Sequence, residues 1–136
     1  MTATGFGVNE VMAVAELRAA LRQFLRRSER VARQSGLTPQ RYLLLLMIKG
    51  APGGSEQSTV TQLSERLQLA QSTVTELVRR AEEAGLVARE QSQTDARVAH
   101  LRLTAEGERR LMASFTELET ERAQLRDAFA QLDAAN

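Results

Sequence analysis

Residues 71–83 carry a concentrated set of groups able to make directed polar contacts. At about 100° per residue, Ser72, Glu76, Arg79 and Glu83 point one way, with Thr73, Thr75 and Arg80 on the flanks. Val74, Leu77, Val78 and Ala81 fall on the opposite face, in the i, i+3, i+4, i+7 spacing of a helix with one side in a core. Hydroxyls and forked hydrogen-bonders on an outward face are the groups that read base edges in a major groove. A solvated helix face is the plainer account of the same residues.

Other chemistry has little to stand on. His100 is the only histidine and there is no cysteine, so neither a convergent metal set nor a thiolate cage or redox pair is offered. Ser, Asp and His all occur, but no motif orders them as a triad. Gly50, Pro52, Gly53 and Gly54 read as a connector. A phosphate cradle would need a preceding strand and a following Gly-Lys-Ser/Thr, and neither is present. No enzyme and no cofactor are expected.

These groups must be held by something. The 136 residues fit a single domain spanning 1–136, and 43% hydrophobic content is enough for a core. Only 4% are aromatic and Trp is absent, which points to an aliphatic, helix-rich interior. A long helix is predicted from Val8 to Gln34, with Val14, Leu17, Leu21, Phe24, Ser28 and Val31 as a seam wanting a partner helix. Arg18, Arg22, Arg26, Arg30 and Arg33 occupy its other faces, where solubility and i,i+4 pairing are their ordinary roles. Gly36-Leu37 ends this helix, and Thr38-Pro39 opens the next as N-cap and first-turn proline. Leu43 to Ile48 is apolar on nearly every side and should be buried centrally.

Thr61 is the expected N-cap of a third helix, Gln62 to Gln68, and the helix from Gln71 follows after a short turn. Two helices so joined make a helix-turn-helix. Gly85 closes the second. Leu86 to Glu90 then reads as a strand, Gln91 to Ala96 as a polar turn, and Val98 to Leu103 as a returning strand. From Thr104 the pattern predicts one helix of roughly 28 residues, about 40 Å long. Its seam is Leu111, Phe115, Leu118, Leu125, Phe129 and Leu132, interrupted at Arg122. The longest apolar run, Tyr42 to Ile48, is far too short to span a bilayer, and Met1 to Gly7 lacks the basic start and apolar core of a signal peptide. A soluble, cytoplasmic protein without membrane contact is expected.

Net charge is +1, but it is unevenly spread. Residues 1–50 hold eight Lys/Arg and three acids (net +5), residues 51–104 six and seven (net −1), and residues 105–136 four and seven (net −3). The helix-turn-helix is therefore not a basic patch, which counts mildly against nucleic acid. Its arginines (Arg66, Arg79, Arg80, Arg89, Arg97) are few but placed, and Arg suits bidentate contacts.

A hairpin directly after a helix-turn-helix is a winged helix, and here specific residues accumulate. Leu37-Thr38-Pro39-Gln40, Thr61-Gln62-Leu63-Ser64-Glu65-Arg66-Leu67, Ser72-Thr73-Val74-Thr75, Gly85-Leu86-Val87, Asp95-Ala96-Arg97 and Leu101-Arg102-Leu103-Thr104-Ala105-Glu106-Gly107 together resemble the MarR family of bacterial transcriptional regulators. The resemblance covers roughly residues 8 to 120. Its most specific part is the Asp-x-Arg wing followed by Leu-x-Leu-Thr-x-x-Gly. It implies a mainly α fold with a small β-hairpin wing: a winged helix-turn-helix with long N- and C-terminal dimerisation helices. Residues 8–37 and 104–136 would form the dimerisation region and residues 38–103 the DNA-binding region.

By the same resemblance the protein would be a homodimeric, sequence-specific repressor on double-stranded DNA, with a pseudo-palindromic operator. Ser72, Thr73, Thr75, Glu76, Arg79 and Arg80 would lie on the recognition helix. Arg97 would be a wing-tip cation entering a minor groove, and Asp95 would hold the turn or pair with a neighbouring Arg. Such proteins often bind small aromatic or phenolic acids, for which Arg22, Arg41 and Tyr42 are candidate contacts; packing of Tyr42 and solvation of the arginines are the simpler roles.

Three features depart from the family pattern. Glu76 stands where a basic or neutral residue is common, and either accepts from a cytosine amine or pairs with Arg79 or Arg80. Gln68 stands where glycine is common, so a less sharply bent turn is expected. The third is the C-terminus: the family usually adds another helix after this long one, and here the chain stops, so a dimer would rest on the first and last helices alone or use a different pairing. Two rivals remain open: a winged-helix module that binds protein, and a small-molecule binder that has lost its DNA contact.

Overall fold

The computed structural model describes residues 7–135. The reading of Met1 to Gly7 as lacking a signal therefore concerns residues that, Gly7 apart, lie outside those described. The elements run α1 (Val8–Gln34), α2 (Pro39–Lys49), a 3-10 turn (Pro52–Gly54), α3 (Val60–Leu67), α4 (Gln71–Glu83), β1 (Val87–Gln91), β2 (Ala99–Leu103), α5 (Ala105–Glu117) and α6 (Glu119–Ala134). No described helix is long and apolar enough to cross a membrane. The chain forms two compact units: residues 32–114, and α1 up to Val31 together with the chain from Phe115 onward. The last turn of α1 and most of α5 fall within the first of these units.

In the unit of residues 32–114, the apolar positions close one core. Leu37, Tyr42, Leu44, Leu45, Ile48, Leu63, Val74, Val78, Ala81, Leu86, Val87, Leu101 and Leu111 are all buried. Leu43 is an exception in the stretch expected to be central; it is 40% exposed. The antiparallel hairpin pairs Val87 with Leu103 and Gln91 with Ala99. Ser58 adds an isolated bridge to Leu101, through backbone bonds of 3.1 and 2.8 Å, that no sequence pattern announced.

Punctuation explains the boundaries. The Thr38 side chain accepts from the Arg41 N–H at 3.2 Å, with Pro39 in the first turn. Gly36 and Gly85 both have φ near +76° and close α1 and α4 through Leu37 N–H to Ala32 O and Leu86 N–H to Ala81 O. The cap of α3 is Thr59, not Thr61. Its hydroxyl accepts from the Gln62 N–H while the Gln62 side chain accepts from the Thr59 N–H, a reciprocal capping box that starts the helix at Val60.

Lys49, the only lysine, ties three segments of this unit together through Glu108 at 2.7 Å and Glu56 at 2.9 Å. Its pKa is raised, mainly by the hydrogen bond to Glu108 and then by that to Glu56.

In the other unit, Ala13, Ser28, Val31, Leu118 and Ala128 are buried, and Arg27 lies 4.0 Å from Glu117 and 3.7 Å from Glu121. The predicted 28-residue helix is not continuous. Leu118 (φ −98°, ψ 11°) leaves the helical region, and its N–H turns back to Phe115 O at 3.2 Å. Arg122 places its guanidinium 3.7 Å from the Phe115 ring centroid and donates to the same carbonyl, so the freed oxygen is satisfied. Two helices result, so the element order includes the additional helix that the resemblance calls for. Much of the predicted seam remains uncovered: Val14, Leu21, Phe115 and Phe129 are exposed, as are Val8, Val11, Met12 and Leu25.

Candidate nucleic-acid interface

α4 turns most of its apolar stripe inward as its spacing requires, with Leu77 only half-buried. Val74, Val78 and Ala81 are fully buried, which fixes the rotation of the helix and leaves Ser72, Thr73, Thr75, Arg79, Arg80 and Glu83 exposed and Glu76 partly so. The turn ahead of it is tighter than Gln68 led one to expect. Gln68 adopts φ 55°, ψ 45°, the left-handed conformation that glycine takes most readily. Ser64 holds it there: its carbonyl accepts from the Leu69 N–H at 3.1 Å and its hydroxyl donates to Leu69 O at 2.6 Å. Local bonding thus compels a bend that residue type disfavours.

The outward face of α4 is internally paired. The Glu76 carboxylate accepts from Arg79 Nε at 3.0 Å and Nη2 at 2.5 Å, and from Arg80 Nε at 2.9 Å. Arg79 Nη1 also reaches Glu83 at 2.9 Å. The Arg79 and Arg80 hydrogen bonds lower the Glu76 pKa from 4.5 to about 2, so this carboxylate is ionised throughout the neutral range. The Arg79 pKa is raised in turn, first by the hydrogen bond to Glu76.

The wing presents one strongly exposed cation. The Arg97 side chain is 91% exposed and contacts Asp95 Oδ1 at 3.3 Å through Nε. The same Asp95 oxygen accepts the Arg97 backbone N–H at 3.0 Å, an Asx-type closure. Asp95 therefore does both things its position allowed, holding the turn and pairing with the arginine. Ser92 completes the loop, its hydroxyl accepting from the Thr94 and Asp95 N–H groups and its own N–H donating to Val98 O.

A groove of about 250 Å³ lies between the wing and the start of α3, bordered by Thr59, Thr61, Arg89 and Arg97. Arg89 is held from α4, through Glu82 at 2.9 Å, and that hydrogen bond raises its pKa. The Thr59 cap is legible in the sequence, since Thr59-x-x-Gln62 is a capping-box signature, but the groove has no sequence signal of its own. Arg66 is used elsewhere, donating to Met47 O at 2.9 Å and Gly50 O at 3.5 Å at the end of α2.

The ligand candidates are distributed differently. Tyr42 is buried at 4% exposure and Arg41 is half-buried in the winged-helix unit. Arg22 is in the other unit, where with Leu21, Leu25 and Arg26 it borders a groove of about 320 Å³. Among the described residues, no three His, Cys, Asp or Glu side chains converge as a metal ion would require.

Residues 35–98 match the model of the MarR family. No curated protein matches the sequence. Among solved structures, a MarR family protein from Bacillus stearothermophilus is similar at a TM-score of 0.73 and 26% identity, over 89% of this chain and 82% of its own. Streptococcus pneumoniae FabT in complex with DNA is similar at 0.54 and 29%, over 64% of this chain and 59% of its own. A mutant MarR from E. coli complexed with operator DNA shares the fold at 0.68 and 18% identity, over 96% and 95%. By its element order, its matched segment and these neighbours, the chain has a winged-helix fold and is similar to MarR-family proteins.

Proposed function

We propose that this protein is a sequence-specific DNA-binding transcriptional regulator, acting as a dimeric repressor released by a small-molecule effector. The observation that carries the reading is the exposed polar face of α4, fixed by buried Val74, Val78 and Ala81, beside a wing whose Arg97 stands almost fully in solvent. Similar proteins solved in complex with DNA support the choice of partner. In this reading Ser72, Thr73, Thr75, Glu76, Arg79 and Arg80 face the major groove. Arg97, with its turn held by Asp95, enters the minor groove, where a guanidinium is drawn by the negative potential of narrow A·T-rich segments. The groove bordered by Thr59, Thr61 and Arg89 suits a backbone phosphate.

Dimerisation is supported by the apolar side chains left exposed on α1 and α6, among them Met12 at 61%, Leu25 at 51% and Phe129 at 53%. Two equivalent recognition helices would then require half-sites about one helical turn apart. For a small aromatic or phenolic acid, Arg22 is a candidate cation within one unit and Arg41 within the other. Tyr42 would contribute from a position already buried in the core.

Selection of DNA fragments by the purified protein, followed by salt-titrated mobility shift, tests the reading. A pseudo-palindromic site preferred over scrambled duplex is the expected result. Equal binding to every duplex, or none even in dilute buffer, would reject it. Co-purification of a protein partner in that case would favour the second reading, a protein-interaction module, for which the balanced pairing of Arg79 and Arg80 with Glu76 and Glu83 speaks.

A further inference from the structure

The arginines most available to a duplex on α4 are held by acids of the same helix, and this has a consequence for how it would discriminate. We infer that Glu76 is a specificity-determining residue that restrains Arg79 and Arg80, suppressing sequence-independent attraction to DNA. The inference rests on the DNA-binding reading above and deepens it.

Glu76 sits at the centre of the outward face and engages both guanidiniums at once, through three hydrogen bonds of 2.5 to 3.0 Å. Glu83 holds Arg79 from the next turn. The face thus carries two cations and two anions, and has no net charge with which to attract phosphates. Non-specific binding depends on neutralising phosphates with free cations, so a helix arranged this way contributes little to it. A carboxylate in a major groove can only accept hydrogen bonds. It is compatible with the amino groups of cytosine or adenine, but repelled by phosphates and by the acceptor edges of guanine and the thymine oxygen. Both effects penalise wrong sites more than right ones, which is how discrimination is gained without adding affinity. The depressed Glu76 pKa agrees, since it keeps the restraint charged at every pH where DNA is native.

The test is Glu76→Gln, which keeps the side-chain length and helix propensity and removes the charge. Affinity of the full chain for a random-sequence duplex and for its selected site is measured over a salt series. Non-specific binding should tighten by about threefold to tenfold, and its log–log salt slope should steepen by about one to two, as one or two guanidiniums become free to reach phosphates. The ratio of specific to non-specific affinity should fall. Glu76→Lys should shift the same quantities further.

A purely structural role would change the thermal midpoint and leave the salt slope alone. An unchanged slope and an unchanged ratio in both variants would overturn the inference. If the wild-type chain binds no duplex at any salt, the DNA-binding reading itself falls, a result separate from the variant comparison.

Discussion

Asp95 and Arg97 show how a two-residue spacing can build a probe. One carboxylate oxygen receives both the backbone N–H and the guanidinium of Arg97, so the turn and the direction of the side chain are set together. Because the Arg97 side chain is 91% exposed and its ion pair is with Asp95 of the same turn, removing it should cost binding and little else. Arg97→Ala is expected to weaken binding to the selected site by roughly 1–3 kcal/mol and to flatten the salt slope by about one; salt-titrated mobility shift would show whether either changes. At Glu76 the expectation concerns protonation. Its pKa is about 2 in the folded chain against 4.5 ordinarily, so its pairing is fully formed above pH 4.5 and is lost as pH falls through about 2. A carboxyl-detected NMR titration should place the midpoint well below that of an ordinary glutamate. Replacing both Arg79 and Arg80 by Gln should return it to the ordinary range, and an ordinary midpoint in the wild type would rule out the pairing in solution.

Two elements are shaped by backbone demands of opposite kind. At Gln68 a left-handed residue is held between α3 and α4 although it is not glycine, at a cost on the order of 1 kcal/mol. Gln68→Gly should therefore raise stability by about 0.5–1 kcal/mol in chemical denaturation, less the entropy that glycine adds to the unfolded chain. At the start of α5 the requirement runs the other way. A Cβ on Gly107 would collide with the Leu86 carbonyl oxygen and backbone, because α5 begins directly against the end of the α4–β1 connection. Thr104 locks that junction, donating from Oγ1 to Gly85 O at 2.6 Å and accepting from the Gly107 N–H at 3.1 Å. Gly107→Ala should destabilise the fold by about 1–3 kcal/mol, as overpacking at a rigid contact does. A denaturation midpoint equal to wild type would show that the junction yields.

For the whole molecule, the decisive quantity is the number of chains. Val8, Val11, Met12, Leu25 and Phe129 each expose half or more of their surface, an unusual concentration of large apolar side chains within two helices. Light scattering at micromolar concentration should give twice the mass of one chain, and the double substitution Val11→Glu, Leu25→Glu should give a single chain with unchanged helix content. A wild-type monomer would leave that apolar surface without an owner and remove the basis for paired half-sites. Charge does not substitute for this contact in DNA binding. The winged region is net −1 over residues 51–104, so on the proposed reading affinity would come from a few placed groups on two copies rather than from a basic field.

The sequence alone determined what periodicity and punctuation encode. The buried stripe of α4, the Thr38-Pro39 and Gly85 boundaries, the wing and the outward set from Ser72 to Arg80 followed from side-chain spacing, because each depends on neighbours within a few residues. Three features were decided only in the packed chain, even where the bonds that set them join residues close in sequence. The break at Leu118 has no Gly or Pro to mark it; it arises where Leu118 is buried and Arg122 folds back on Phe115. The left-handed Gln68 is imposed by the bonds Ser64 makes to Leu69, against the residue's own preference. The pairing of Glu76 with both arginines was one of two options open to it, the other being a cytosine amine. Choosing among them took the rotamers that the packed helix leaves available, and spacing does not encode rotamers.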